Sequence, residues 1–218
     1  YGNYLIFPFG YLSAENFDSL IYRDFAYNMS MYNNYTSGTD LQTVSYATRG
    51  NSDNYMFGDT SKPRVYAMTP EVGTTGFWPA TNEIFPLAIE NLGSNRYFSY
   101  IAGSTPRIRS WKVADLDSNT YLSRGEEFRL DIKIRNVGLS VGRNLTFTLS
   151  TSPSLQFNWN SIPLALLPAL SDTTIFFPGV VDLSAAEGQP ITLYLTSSDA
   201  DGYYWQDSIK LVRSEEHT

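Results

Sequence analysis

Strict alternation of apolar and polar residues in the second half of the chain constrains its fold more than any other feature. Between residues 128 and 135, every second residue is Phe, Leu or Ile, and the residues between them are charged. A period of two puts the two sets on opposite faces of a β-strand, which predicts a strand buried on one face. The pattern recurs at 145–149 and 191–195.

Turn-forming residues lie between the predicted strands. Asn136-Val137-Gly138 follows the first strand, and Asp201-Gly202 lies further along the chain. Short strands joined by turns are typical of an antiparallel β-sandwich. We therefore expect an all-β antiparallel sandwich over residues 105–218, with a boundary at Ser104-Thr105-Pro106 after a first domain of residues 1–104.

The beginning of the chain combines strand and helix patterns. An apolar run at 4–9 predicts a buried strand closed by proline and glycine. A helix is predicted from about 14 to 33, with Ser13 as the N-cap and Asn16 as a second polar residue near its start. Its expected apolar face consists of Phe17, Leu20, Ile21, Phe25 and Met29.

Residue patterns in the remainder of the first domain predict a loop, a strand and a helix. Residues 34–62 are rich in Asn, Ser, Thr and Gly, and we expect a long loop there. A short strand is predicted at 65–69 and a second helix at 79–92. The apolar face expected for that helix is Ile84, Leu87, Ala88 and Leu92. This order of elements is typical of an α/β fold.

Composition excludes several functional classes. The formal net charge is −7 and charged residues make up 17%, so the basic footprint of a nucleic-acid-binding protein is missing. No segment approaches ~20 consecutive apolar residues, so no membrane span is expected. The chain has no cysteine, which excludes disulfides and thiolate sites. Because an apolar run, Tyr4-Leu5-Ile6-Phe7, begins only three residues after Tyr1, we expect this sequence to begin inside a longer protein.

A glutamate after a short apolar strand is the strongest candidate for chemistry. Glu71 follows the strand predicted at 65–69, and Gly73 and Gly76 allow sharp bends immediately afterwards. Ligands of open α/β sheets bind outside the carboxyl ends of strands. A glutamate in that position can take a proton from water and return it to a leaving amine. The alternative is a solvated turn residue.

Three segments together resemble the funnelin (M14) zinc carboxypeptidases. Thr69-Pro70-Glu71-Val72-Gly73, followed by Gly76-Phe77-Trp78-Pro79, resembles the end of their catalytic domain. Residues 46–59 are similar to the family's mobile loop, and residues 1–11 to the strand after its last zinc histidine. The resemblance covers about residues 1–100 and implies the C-terminal half of a carboxypeptidase-type mixed sheet with helices.

The resemblance implies a role for five residues. Glu71 corresponds to the general base acting on zinc-bound water, and Tyr46 to the tyrosine that closes over the substrate. Asp53 and Thr69 correspond to the pocket for the C-terminal side chain, where an acid favours Lys or Arg. Tyr1 matches a substrate-contacting tyrosine. A solvated loop for Tyr46 and Asp53, and core packing for Thr69, are the alternatives.

The chain departs from that family at the metal. The family's zinc needs a His-x-x-Glu pair and a second, distant histidine, whereas His217 is the only histidine here. His217 is expected to be a solvated tail residue. The prediction is that zinc belongs to the full-length enzyme, that this chain alone holds none and is inactive, and that its substrates are peptide or protein C-termini.

A predicted strand ends at Arg135-Asn136-Val137-Gly138, and the next begins at Asn144. In this feature the second domain resembles the Ig-like or adhesion-type sandwiches of secreted bacterial peptidases. This implies a secreted, extracellular bacterial protein. Half a sheet leaves an open edge, which predicts either an associated N-terminal chain of the same precursor or a dimer. The alternatives are a non-catalytic binding or adhesion module, and a glycan-binding protein. The latter would use aromatic side chains that otherwise serve in packing: Trp111, Trp159, Tyr203, Tyr204 and Trp205.

Overall fold

A computed structural model describes residues 1–115, 122–186 and 188–212. The chain divides into two compact units, Tyr1–Ser99 and Tyr100–Thr218. Strands outnumber helices in the described residues, and most strand pairings are antiparallel. In these residues no helix is both long and apolar enough to cross a membrane. His217 lies outside the described residues.

The first unit contains a three-stranded mixed sheet in the order β2-β1-β3. The central strand β1 pairs in parallel with β2 and antiparallel with β3, and Leu5 lies opposite Ser37 on one side and Pro70 on the other. The strands are β1 Tyr4–Ile6, β2 Thr36–Gly38 and β3 Thr69–Glu71. The helices are α1 Ser19–Asn33, α2 Asp40–Thr43, α3 Ser52–Gly58 and α4 Thr81–Tyr100.

Aromatic packing forms part of the core of the first unit. Phe7, directly after β1, is fully buried and stacks on Tyr22 of α1 with ring centroids 5.4 Å apart. Phe57 of α3 meets the edge of the Tyr22 ring at 5.2 Å, and Tyr66 packs against both. Such offset and edge-to-face ring pairs stabilise the fold by more than the burial of their surface alone.

The first helix begins later than predicted, and part of its expected apolar face is wrong. It starts at Ser19 because Asn16 serves the preceding loop: its amide donates to the Pro8 carbonyl, and its Oδ1 accepts from the Asp18 N–H. Phe25 and Met29 are buried as expected, whereas Leu20 is 80% exposed.

The long loop predicted over 34–62 is wrong, because this segment contains β2, α2 and α3. A capping box between Thr39 and Gln42 starts α2, a local signal hidden by the polar composition. The predicted strand at 65–69 is shifted to β3, whose register is set by pairing with β1. The second helix extends to Tyr100, and Ile84 and Leu92 on its expected apolar face are exposed.

The second unit contains two four-stranded antiparallel sheets, ordered β11-β10-β6-β8 and β4-β5-β9-β7. The first consists of β11 Tyr204–Val212, β10 Pro190–Ser198, β6 Gly142–Leu149 and β8 Ser161–Leu167. The second consists of β4 Pro106–Asp115, β5 Glu127–Asn136, β9 Asp172–Val181 and β7 Leu155–Phe157.

Both sheets contribute side chains to one hydrophobic core. Leu130 and Ile132 of β5, Phe177 of β9, Phe147 of β6 and Leu193 of β10 are almost fully buried. These side chains come from the alternating segments of the sequence, and removing them from water is the main stabilising term. The prediction that this half is antiparallel and all-β is confirmed at the level of the sheets.

A buried asparagine joins the loops at one end of this unit. Asn136 is fully buried at the end of β5. Its Oδ1 accepts from the N–H groups of Thr105 and Gly138 at 2.9 and 3.0 Å. Its Nδ2 is within hydrogen-bond distance of three carbonyls, those of Ser140, Leu167 and Pro168. The segment expected as a plain turn is therefore a hydrogen-bonded junction of three loops.

Most aromatic residues considered for packing in the second unit are accessible to solvent. Tyr203, directly before β11, and Tyr204, its first residue, are 68% and 73% exposed, and Trp111 and Trp159 are exposed as well. Trp205 is partly buried. For these four, core packing is wrong, since each is at least 39% exposed.

Candidate functional site

A cavity of about 260 Å³ opens in the first unit beside the sheet. It combines a strand residue of β1, the end of β3 and the segment from α2 to the start of α3. Its lining residues are Ile6, Asp40, Val44, Tyr46, Thr48, Asn51, Ser52, Thr69 and Glu71. Three of the five residues singled out in the sequence, Tyr46, Thr69 and Glu71, therefore lie around one cavity.

Glu71 occupies the last position of β3, opposite Tyr4 on β1. Its carboxylate is partly exposed and contacts the α-amino group of Tyr1. The backbone turns directly after it, because Gly73 has a φ of 71°, in the left-handed region that favours glycine. The carboxylate can thus reach the cavity while the chain leaves the sheet.

Tyr46 lies in the segment between α2 and α3, and its side chain is 62% exposed. Ser45 before it has a φ of 67°, which bends the chain where α2 ends. The exposed ring and the cavity contact place Tyr46 on the solvent side of the cavity. A phenol in that position can donate a hydrogen bond to a bound molecule.

Asp40, in the first turn of α2, is a site residue that the sequence interpretation missed. It is only 3% exposed. Its Oδ1 accepts from the Thr48 hydroxyl at 2.6 Å and from the Asn51 amide at 3.2 Å. Its Oδ2 receives no hydrogen bond from the described residues. The capping box starting at Thr39 was the available signal, since it fixes Asp40 at the beginning of a helix.

Asp53, in the first turn of α3, is 1% exposed. Its Oδ1 accepts from the Asn54 N–H at 2.8 Å, and its Oδ2 has no hydrogen-bond partner in the described part of the chain. Burial raises the pKa of Asp53, and the nearby charge of Asp40 raises it further. The Asn54 N–H, and more weakly the Thr69 hydroxyl, lower the pKa of Asp53 and so oppose this increase. Neither forms a hydrogen bond with Oδ2.

The other predicted residues lie apart from the cavity wall. Asp53 is not among the residues that line the cavity, although it interacts electrostatically with Asp40 and Thr69. Tyr1 is also not a lining residue, and its ring packs edge-on against Phe77 with centroids 5.0 Å apart. The cavity therefore combines a base candidate, a phenol and one buried acid, Asp40, with which the second buried acid, Asp53, interacts electrostatically.

The described residues include no group of three or more His, Cys, Asp or Glu placed to hold a metal ion. A catalytic zinc needs three protein ligands and an open position. Glu71, Asp40 and Asp53 therefore do not fit a zinc site by themselves.

No protein-family model and no curated protein sequence matches the chain. A FixG-related protein from Vibrio parahaemolyticus is 10% identical, with 48% of this chain and 94% of that chain covered and a TM-score of 0.33.

Two further solved structures show a similar level of likeness. The sporulation control protein Spo0M from Bacillus subtilis is 14% identical, with 50% of this chain and 51% of that chain covered and a TM-score of 0.27. A conjugate transposon protein from Bacteroides vulgatus is 14% identical, with 54% and 90% covered and a TM-score of 0.30. All three TM-scores are below 0.5, so these likenesses support no conclusion about function.

Proposed function

We propose that this chain is the C-terminal, substrate-binding part of a secreted zinc metallocarboxypeptidase that removes Lys or Arg from peptide C-termini. One observation carries the proposal. Asp40, in the wall of a cavity that also contains Glu71, and Asp53 beside it are almost fully buried carboxylates, and each has an oxygen without a hydrogen-bond donor among the described residues.

Two such carboxylates are costly without a ligand. A buried polar atom without a partner destabilises the protein by ~1–3 kcal/mol, and more if it is charged. An ammonium or guanidinium group supplies both the missing donors and the opposite charge, in charge-assisted hydrogen bonds. An apolar or anionic side chain supplies neither, and a neutral polar side chain supplies donors without the charge. The pair therefore supports selection of a cationic side chain at the substrate C-terminus.

The remaining residues of the cavity suit peptide hydrolysis. Glu71 would take a proton from the attacking water and return it to the leaving amine. Tyr46, on the solvent side, would donate a hydrogen bond to the terminal region of the peptide. Zinc would be held by ligands outside the described residues, and when bound it would supply a water of lowered pKa. Thr69 would help to hold the charged form of Asp53.

The second unit would act as an Ig-like accessory domain of this extracellular bacterial enzyme. Its two antiparallel sheets and single core support such a role. The first unit exposes large apolar side chains, including Leu20, Phe77 and Trp78. Such exposure is typical of surfaces that are covered by a partner. That partner would be an N-terminal chain of the same precursor or a second copy.

A calorimetric titration of the 218-residue chain tests the proposed specificity. Nα-acetyl-lysine is compared with Nα-acetyl-norleucine, which has the same four-carbon side chain without the ammonium group. We expect the lysine ligand to bind at least tenfold more tightly, and Asp40→Asn to remove that preference. Equal affinity for the two ligands would contradict the proposed specificity.

A non-catalytic binding or adhesion module is the second candidate. The exposed aromatic side chains of the second unit, Trp159, Tyr203 and Tyr204, favour it because they offer rings to a ligand surface. Zinc content and hydrolysis of a lysine-terminated peptide by the complete protein separate the candidates. A complete protein that binds lysine ligands, holds no zinc and leaves the peptide intact would favour the binding module.

A further inference from the structure

Three buried polar residues form a closed ring of hydrogen bonds behind β3. Asn33 ends α1, Tyr35 precedes β2 and Asn91 lies in α4, and all three are at most 7% exposed. The Tyr35 N–H donates to Asn33 Oδ1 at 3.2 Å. Asn33 Nδ2 donates to Asn91 Oδ1 at 3.1 Å, and Asn91 Nδ2 donates to the Tyr35 hydroxyl at 3.0 Å. The ring joins three elements that are distant in sequence.

The same tyrosine hydroxyl also holds the backbone just beyond Glu71. It accepts a second hydrogen bond, from the N–H of Gly73, at 3.2 Å. The Gly73 carbonyl accepts from the N–H of Gly2 at 2.7 Å. Both polar backbone groups of this buried residue are therefore paired. A side chain at Gly73 would also be strained by its φ of 71°.

Glu71 is consequently held from both directions along the chain. On its N-terminal side, β3 pairs with β1, with Ile6 opposite Thr69. On its C-terminal side, the chain is fixed two residues later by the contact between Tyr35 and Gly73. Without the second contact, the segment after β3 would be held at Gly73 only through the Gly2 N–H, so we expect it to be less rigid. General-base catalysis tolerates misplacement of about 0.5 Å or less.

We propose that Tyr35 and Asn91 are positioning residues that fix the Glu71 carboxylate at the cavity. This inference rests on the proposed function. Neither side chain lines the cavity, so neither touches the substrate. Tyr35 acts through Gly73, and Asn91 acts by holding the Tyr35 hydroxyl in place from α4. The ring is separate from Asp40, so its loss should affect the reaction step and leave side-chain recognition unchanged.

The test variant is Tyr35→Phe, which removes only the hydroxyl. In the 218-residue chain, hydrogen exchange of the Gly73 amide should become at least tenfold faster. In the complete, metal-loaded protein, kcat for a lysine-terminated peptide should fall about tenfold while KM stays unchanged. Affinity for Nα-acetyl-lysine should also be unchanged. Asn91→Ala, which removes the donor to the Tyr35 hydroxyl, should accelerate Gly73 exchange as well, and it serves if Tyr35→Phe does not fold.

Tyr66→Phe is the matched control. It deletes a hydroxyl that donates to Asp18 at 2.8 Å and that makes no contact with Gly73. Gly73 exchange and kcat should match the unmodified protein. If the wild-type enzyme is active and Tyr35→Phe changes neither kcat nor the hydrogen exchange of Gly73, the positioning role alone is overturned. A zinc-loaded complete protein without peptidase activity would instead overturn the proposed function, and the positioning role with it.

Discussion

A methyl group on Gly10 would lie 2.2 Å from Oδ2 of Asp40, far inside van der Waals contact. It would also lie 2.4 Å from the hydroxyl of Thr48, which donates to the other oxygen of the same carboxylate. The lack of a side chain at Gly10 therefore makes room for the buried acid and its partner. The glycine of the Pro-Phe-Gly segment after β1 is therefore needed to accommodate the Asp40 carboxylate as well as to form a turn.

Gly10→Ala should therefore displace the Asp40 carboxylate. We expect affinity for Nα-acetyl-lysine to fall more than tenfold, and the free energy of unfolding to fall by about 1–3 kcal/mol because of overpacking. Calorimetry and denaturant unfolding measure the two effects. Gly103→Ala is the control, since its methyl group would lie 3.4 Å from the nearest atom, the carbonyl oxygen of Tyr100. An alanine variant with normal affinity would show that Gly10 does not shape the site.

Asp53→Asn should make the ligand-free protein more stable at neutral pH and weaken lysine binding. Burial raises the folded-state pKa of Asp53 above the unfolded value. Folding thus favours its protonated form, so the stability of the wild type is greatest below the unfolded pKa and falls as the pH rises through the folded pKa. The variant should gain about 1 kcal/mol at pH 7.

Denaturant unfolding at several pH values checks this prediction for Asp53. The advantage of the variant should disappear as the pH falls toward the ordinary pKa of an aspartate, where the wild type is also neutral. Wild-type affinity for lysine ligands should increase over the same range as the pH rises, because the ionised carboxylate binds the cation. An advantage that is constant with pH would mean that Asp53 does not titrate in this way.

Glu71→Gln should separate catalysis from binding. In the complete, zinc-loaded protein, we expect hydrolysis of lysine-terminated peptides to fall ~100- to 10,000-fold, because the amide cannot accept the proton of water. Affinity for Nα-acetyl-lysine should be unchanged, since recognition depends on Asp40 and Asp53. Glu90→Gln makes the same chemical change on α4 and should retain activity. Retained hydrolysis in Glu71→Gln would rule out its role as the base.

Asn136→Ala should destabilise the second unit strongly. The substitution removes a side chain bonded to two N–H groups and three carbonyls, and the two N–H groups are left buried without it. We expect a loss of at least about 3 kcal/mol in the free energy of unfolding, measured by urea titration. Asn158→Ala, on an exposed side chain, should change it by less than about 0.5 kcal/mol. Similar midpoints for the two variants would argue against the junction.

The strands of the second unit were predictable because their signal is local. An alternation of period two is written into consecutive residues and directly selects the buried face, as Leu130 and Phe147 illustrate. The beginning of α1 was not predictable in this way, since the side chain of Asn16 is used by the loop at Pro8. Exposure of Leu20 was equally hidden, because helical spacing identifies a face and not what covers it.

The residues of the candidate site also differ in how far the sequence could predict them. Sequence resemblance selected Glu71, Tyr46 and Thr69, and all three line the cavity. It missed Asp40, because the capping box at Thr39 indicates where a helix starts and not that the aspartate after it is buried. The substrate contact expected for Tyr1 stays a prediction, and its ring packs on Phe77. Burial depends on which distant segments come together, and residue types alone do not specify this.

The sequence alone determined the alternating strands, the acidic charge, the lack of thiol chemistry and the glutamate after a short strand, since each depends on residue identity and nearest neighbours. Only the tertiary structure decided that Asp40 lies under Gly10, that Tyr35 holds Gly73 and that Asn136 joins three loops. These contacts link residues up to tens of positions apart. These hydrogen bonds are strengthened in the water-poor interior, where a polar group left unpaired is costly, and this interior exists only once the chain has folded.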